Sequence, residues 1–233
     1  MQKESPWKYI PKENEQFLFM HVPKTAGTTF RKILTKHFRQ EDIYPTELHL
    51  FTTKNKYLRQ PILIENRKDL LRKKLICGHY NVRLLPHLSP NVKTMIFLRD
   101  PMERIQSHIK HLINKDPEFG QGDPNQVIEE RLEILCNLQA RILGFTKNRP
   151  NLDLVLQNLE AINFVGIQEK FATSIEKLNE KFAWQLAYQG ERLNPSPTNF
   201  KIPIHSENID RIIEKNQPER LLYKRACEIF EEK

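Results

Sequence analysis

The sequence predicts an α/β fold, a three-layer sandwich with a central parallel sheet. Short apolar runs recur at 17–20, 75–77, 95–98 and 164–167, the pattern of strands buried on both faces. Between them, apolar residues repeat at steps of three and four, the period of helices that cover a sheet. Segments 114–125 and 192–203 are rich in turn residues and read as loops.

Taken in order, the 17–20 strand leads into a turn with Pro23 and Gly27, then a helix expected to start near Thr28 or Thr29. That helix carries Phe30, Ile33, Leu34, His37 and Phe38 on one face. The 75–77 strand runs into Gly78 and His79. After the 95–98 strand, Asp100 as N-cap, Pro101 as first helical residue and Glu103 at the third position spell a capping box. Ile128, Leu132, Leu135, Leu138 and Ile142 predict one continuous helix. Phe171, Ile175, Leu178, Phe182 and Leu186 predict another, after the 164–167 strand. A closing helix at 218–233 places Leu222, Ala226 and Ile229 together. Ligands gather at strand ends in such sheets, so the two turn-rich segments are expected to wall or cover a cleft.

A length of 233 residues suits one domain over 1–233, and 39% hydrophobic against 28% charged residues excludes a disordered chain. No apolar run approaches the ~18 residues of a membrane span. The N-terminus shows no apolar signal core, so a cytoplasmic protein is expected. Cys77, Cys136 and Cys227 are too few and too widely spaced for a disulfide framework or a zinc knuckle, and reduced thiols are expected. With 37 basic and 29 acidic residues the net charge is +8, which favours an anionic ligand. Eight basic residues against two acidic ones fall within 54–74, either a solvated face or an acceptor-binding patch. Nothing resembles a zinc finger or an RNA-recognition signature, so no specific nucleic-acid partner is expected.

Two motifs carry chemistry. In HVPKTAGTTF a strand, a turn and a helix start point backbone N–H groups at one spot, where Lys24 adds a full charge. Thr25, Thr28 and Thr29 add hydroxyl donors there, and Gly27 is expected to let the backbone approach a ligand. The same stretch also reads as an ordinary strand–helix connection with a threonine cap. It is not a Walker A loop, because Thr28 follows Gly27 where that pattern needs lysine. In FLRDPMERIQSHI, Arg99 leaves a strand end and Ser107 lies two helical turns beyond Asp100 on nearly the same face. Arg99 and Ser107 could clamp a phosphate, or Arg99 could pair with a carboxylate. His79, beside a glycine at a strand's carboxyl end, is the best candidate for a general base. His108 and His111 have no carboxylate or cysteine nearby to complete a metal set.

The two motifs together resemble the signatures of sulfotransferases that use 3′-phosphoadenosine-5′-phosphosulfate (PAPS), in the branch with heparan sulfate 2-O- and other carbohydrate O-sulfotransferases. By that resemblance Lys24, Thr25, Ala26, Gly27, Thr28 and Thr29 form a P-loop-like phosphosulfate-binding loop. Arg99 and Ser107 hold the 3′-phosphate, and His79 matches the family's Gly-His base. Some relatives carry a second histidine two residues earlier, where this chain has Cys77. The resemblance implies transfer of a sulfuryl group to an acceptor hydroxyl, expected on a carbohydrate, with Lys24 assisting catalysis and PAP as product. A sulfuryl group bears less charge than a terminal phosphate, so no metal is expected to be required. Two alternatives stay open: a P-loop-like nucleotide kinase, and a noncatalytic polyanion-binding module using 54–74.

Overall fold

The computed structural model describes residues 9–45, 67–115, 123–146, 150–188, 190 and 203–232. Most of 54–74, and the cores of the 114–125 and 192–203 segments, lie outside them.

Five strands form one parallel sheet: β1 (Phe17–Met20), β2 (Ile43–Tyr44), β3 (Leu75–Gly78), β4 (Lys93–Leu98) and β5 (Phe164–Ile167), in the order β2-β3-β1-β4-β5. Four are the apolar runs of the sequence. The fifth, β2, is an edge strand of two residues, too short to show a period. The register sets Met20 beside Gly78 and Ile96, and Leu98 beside Ile167, so the carboxyl ends of the inner strands share one edge.

Strand residues alternate between two cores. Phe17, Phe19, Leu75, Cys77, Met95, Phe97 and Phe164 face α1 (Gly27–His37) and α7 (Phe171–Phe182), through Phe30, Leu34, Ile175 and Leu178. On the opposite face, Leu18, Met20, Ile76, Ile96, Leu98 and Val165 pack against α2 (Arg67–Arg72), α5 (Leu138–Ile142), α6 (Leu152–Glu160) and α9 (Gln217–Glu232). Both faces are covered, which is why the strand sequences are continuously apolar. A third apolar cluster joins α3 (Pro101–Lys115), α4 (Pro124–Leu135) and α8 (Ser206–Lys215). Among the described residues no helix is long and apolar enough to cross a membrane, and the three cysteines are free thiols.

The structure corrects two helices. The periodic stretch 128–142 breaks between α4 and α5, where Asn137 takes a left-handed conformation with φ of 54°. Asn137 is held there: its N–H donates to Asn216 Oδ1 at 2.7 Å and its Nδ2 to Lys215 O at 2.8 Å. Arg141 and Arg104 donate to the exposed carbonyls at the end of α4, those of Glu133, Ile134 and Leu135. Helix α7 stops at Phe182, and Ala183 turns the chain with φ of 53°. Leu186 still reaches the core, because Asn179 accepts from its N–H and donates to its carbonyl, both at 2.9 Å.

Beneath β4 lies a fully buried ion pair, Arg104 Nε to Glu219 Oε1 at 3.0 Å, with both side chains at 0% exposure. Gln139 completes Glu219's contacts, its N–H donating to Oε2 and its Nε2 to Oε1, each at 2.9 Å. Removing one partner of such a pair strands a charge in the interior. Glu219→Ala is expected to cost ~3–5 kcal/mol of stability, read as a lower midpoint in urea unfolding.

Candidate functional site

The carboxyl ends of β1, β3 and β4 place the turn carrying Lys24, the His79 side chain and Arg99 along one edge of the sheet. The turn after β1 is built of constrained residues. Lys24 and Ala26 hold φ of 72° and 62°, left-handed values without glycine's freedom. Thr25 is buried and its hydroxyl donates to Val22 O at 3.0 Å, so it braces the turn instead of facing outward as a free donor.

Helix α1 begins at Gly27, earlier than the expected Thr28 or Thr29, with Ala26 at the N-cap and no side-chain cap. No acidic residue occupies its first turn, so its positive end is left open to an anion. Thr28 is exposed there and Thr29 is largely buried. Gly27 is needed for a reason the sequence did not show: a Cβ at this position would lie 1.8 Å from His21 Cδ2. The close approach is that of a histidine ring of the protein itself.

His21 is the middle ring of a stack. Phe19 lies on one side with centroids 5.7 Å apart, and His79 on the other at 4.5 Å. Burial, then the neighbouring His79 and Arg31 charges, drives the His21 pKa down to about 3, so its ring is neutral. His79 is exposed, and its Nδ1 lies 2.9 Å from His21 O. A carbonyl only accepts, so Nδ1 carries the proton and Nε2 keeps its lone pair. The protein packed around the ring lowers the His79 pKa below its ordinary value. The bond to His21 opposes this and the Arg31 charge adds to it.

Arg99 continues from β4 on the other flank of the same turn. Its Nη1 donates to Lys24 O at 3.4 Å, which brings the two motifs into contact. Its Nη2 reaches Glu103 Oε2 at 3.3 Å and its Nε lies 3.9 Å from Glu169 Oε1, leaving Nε buried without a hydrogen bond. The capping box is therefore half made. Asp100 Oδ1 accepts from Glu103 N at 3.0 Å, but Glu103 turns to Arg99, and the Asp100 N–H donates to Glu169 Oε1 at 3.0 Å. Ser107 lies largely buried further along α3.

Sequence reasoning missed four residues here: Arg31, Gln139, Glu169 and Glu219. Only Arg31 left a signal, one helical turn after Gly27. Its Nε donates to Cys77 Sγ at 3.4 Å. Burial pushes the Cys77 thiol up, partly offset by Arg31, so it stays protonated. His108, next to Ser107, has a buried Nδ1 with no hydrogen-bond partner. Burial, and then the charges of Arg104, His111, Lys24 and Arg141, lower its pKa to about 4. Among the described residues no group of His, Cys, Asp or Glu could hold a metal ion.

A model of the sulfotransferase family matches residues 7–135, just over half of the chain. A solved sulfotransferase from Alicyclobacillus acidocaldarius is similar over 90% of this chain and 93% of that one, at 16% identity and a TM-score of 0.50, a likeness of fold. Mouse sulfotransferase SULT7A1 complexed with PAP is similar over 91% of this chain and 67% of that one, at 12% identity and a TM-score of 0.41. No curated protein matches in sequence.

Two outcomes are expected. Gly27→Ala forces the His21 ring away and should cost ~1–3 kcal/mol, as overpacking does, seen as a lower melting temperature. Arg31→Met removes a positive charge beside His79 and should raise that imidazole's pKa, followed by NMR titration of its ring protons. An unchanged or lower value would contradict the assigned electrostatics.

Proposed function

The chain belongs to the sulfotransferase family, and we propose that it moves a sulfuryl group from PAPS to a carbohydrate hydroxyl, with His79 as general base. One observation carries this reading: a single short turn holds both His79 and Arg99. His21 O accepts from His79, and Lys24 O accepts from Arg99. The base and the phosphate-binding arginine are thereby fixed to the loop between them.

The residues present fit the donor. The uncapped, acid-free start of α1 and the Lys24 ammonium suit the 5′-phosphosulfate. The Arg99 guanidinium, with its buried Nε unsatisfied, suits the 3′-phosphate together with Ser107. PAPS supplies the activated sulfuryl group and leaves as PAP. His79 Nε2 takes the proton of the acceptor hydroxyl as its oxygen attacks sulfur in line. Lys24 and the amides from Gly27 to Thr29 stabilise the charge that collects on the leaving phosphate. Burial and Arg31 keep His79 neutral at pH 7, the state a base requires.

Family membership counts against the nucleotide kinase. The polyanion-binding reading rests on 54–74, most of which lies outside the described residues. The carbohydrate acceptor, and kinship with the heparan sulfate 2-O-sulfotransferase branch, rest on the motifs and the +8 net charge. We read residues 1–233 as one sulfotransferase domain.

The test is ³⁵S transfer from labelled PAPS to a panel of glycans, lipids and small alcohols. Labelled glycan is expected, label on lipids or alcohols alone would overturn the acceptor class, and no transfer to any acceptor would overturn the reading. His79→Ala should lower kcat by ~10²–10⁴ while leaving the Kd for PAP nearly unchanged, and full turnover would remove His79 as the base. In the wild type the acid limb of kcat/KM should lie below the ordinary histidine value of ~6.5, because protonation of a depressed His79 disables it.

A further inference from the structure

Beneath Arg99 lies a feature that neither motif contains. The ladder between β4 and β5 ends at Leu98 and Ile167, so the backbone of Arg99 has left the sheet. Its two polar groups are nevertheless paired, both with one side chain. Arg99 N–H donates to Gln139 Oε1 at 2.9 Å, and Gln139 Nε2 donates to Arg99 O at 2.8 Å. A carboxamide has the donor and acceptor of a peptide group, and here it takes the place that a further strand residue would fill.

Gln139 is fully buried and is itself oriented at two points by the Glu219 carboxylate. Glu219 in turn accepts from Arg104 Nε. The chain of bonds Arg99–Gln139–Glu219–Arg104 thus ties the Arg99 backbone to α3 at Arg104, three residues before Ser107 on the same helix. A buried ion pair is weak evidence for stability, since apolar residues of the same volume fill such a space as well or better. Apolar residues could not hold the two polar backbone groups of Arg99.

We infer that Gln139 is a positioning residue for 3′-phosphate recognition, setting the Arg99 backbone against Ser107 on α3, with Glu219 fixing the carboxamide's direction. This rests on the assignment of Arg99 and Ser107 made above. The guanidinium has its own restraints, from Lys24 O, Glu103 and Glu169. Gln139 decides where the arm carrying that guanidinium begins.

The experiment measures Kd for adenosine 3′,5′-bisphosphate and for adenosine 5′-phosphate by calorimetry, in the wild type, Gln139→Met, Arg99→Ala and the double variant. Methionine conserves volume and removes both bonds to Arg99. Gln139→Met is expected to weaken the bisphosphate about tenfold or more and the 5′-phosphate less than twofold. In the Arg99→Ala background it should cause no further loss, as a residue acting through Arg99 requires. Equal weakening of both nucleotides, no weakening of either, or the same loss in both backgrounds overturns the inference. If Gln139→Met does not fold by circular dichroism, Gln139→Asn, which is too short to span both groups of Arg99, is read in its place. A wild type that binds both nucleotides equally overturns the 3′-phosphate assignment itself. A wild-type preference that survives Gln139→Met overturns only the positioning role.

Discussion

The turn from β1 into α1 is the constraint on which the site depends. It passes between three strand ends, and each of its features answers to a neighbour. Gly27 has no side chain because the His21 ring lies against it, Thr25 is turned inward to brace Val22, and Lys24 and Ala26 accept left-handed backbone. Strain of this kind persists only where the surroundings over-determine it. Here they do, because strands β3 and β4 flank β1 and fix the start of the turn, and α1 continues from its end. The carbonyls of His21 and Lys24 then become acceptors for His79 and Arg99, and a strand–helix connection becomes the point where β1, β3 and β4 are tied together beyond the sheet.

Electrostatics follow from that geometry. The turn and its neighbours gather Lys24, Arg31 and Arg99, of which Arg99 is offset by Glu103 and Glu169. Neighbouring positive charge, added to burial, keeps the His21, His79 and His108 pKa values low, so the histidines contribute no further positive charge near neutral pH. For His79 this suits the proposed role as base, since a neutral imidazole with its proton on Nδ1 offers a lone pair at Nε2. Glu103 and Glu169 restrain Arg99 from the solvent side, and Glu169 also accepts from Tyr223 on the closing helix at 2.9 Å. The proposed sulfuryl transfer asks for fixed positive charge and a neutral base side by side, and Arg31, bonded to Cys77 Sγ, adds to the lowered pKa of His79.

Much of this fold was legible because burial on both faces leaves a plain mark on a strand. The 17–20, 75–77, 95–98 and 164–167 runs all became strands, and Asp100 became a helix cap as its neighbours implied. The errors occurred where side chains distant in sequence intervene. Periodicity carried one helix through Asn137, where hydrogen bonds to Asn216 and Lys215 turn the chain. It carried another to Leu186, which is buried by means of the Asn179 side chain and not by helical geometry.

By itself the sequence determined four of the five strands, the two strand-to-helix turns and the histidine at the end of β3, because each is written in residues adjacent along the chain. Tertiary structure decided what those residues do. Gly27 makes room for the His21 ring, Thr25 spends its hydroxyl on the turn, and Arg31 adds to the lowered pKa of a histidine 48 positions away. Gln139 and Glu219, separated by 80 residues, show no pattern along the chain. Their bonds form only when α5 and α9 close beneath β4, and a local reading has no access to a distance that folding creates.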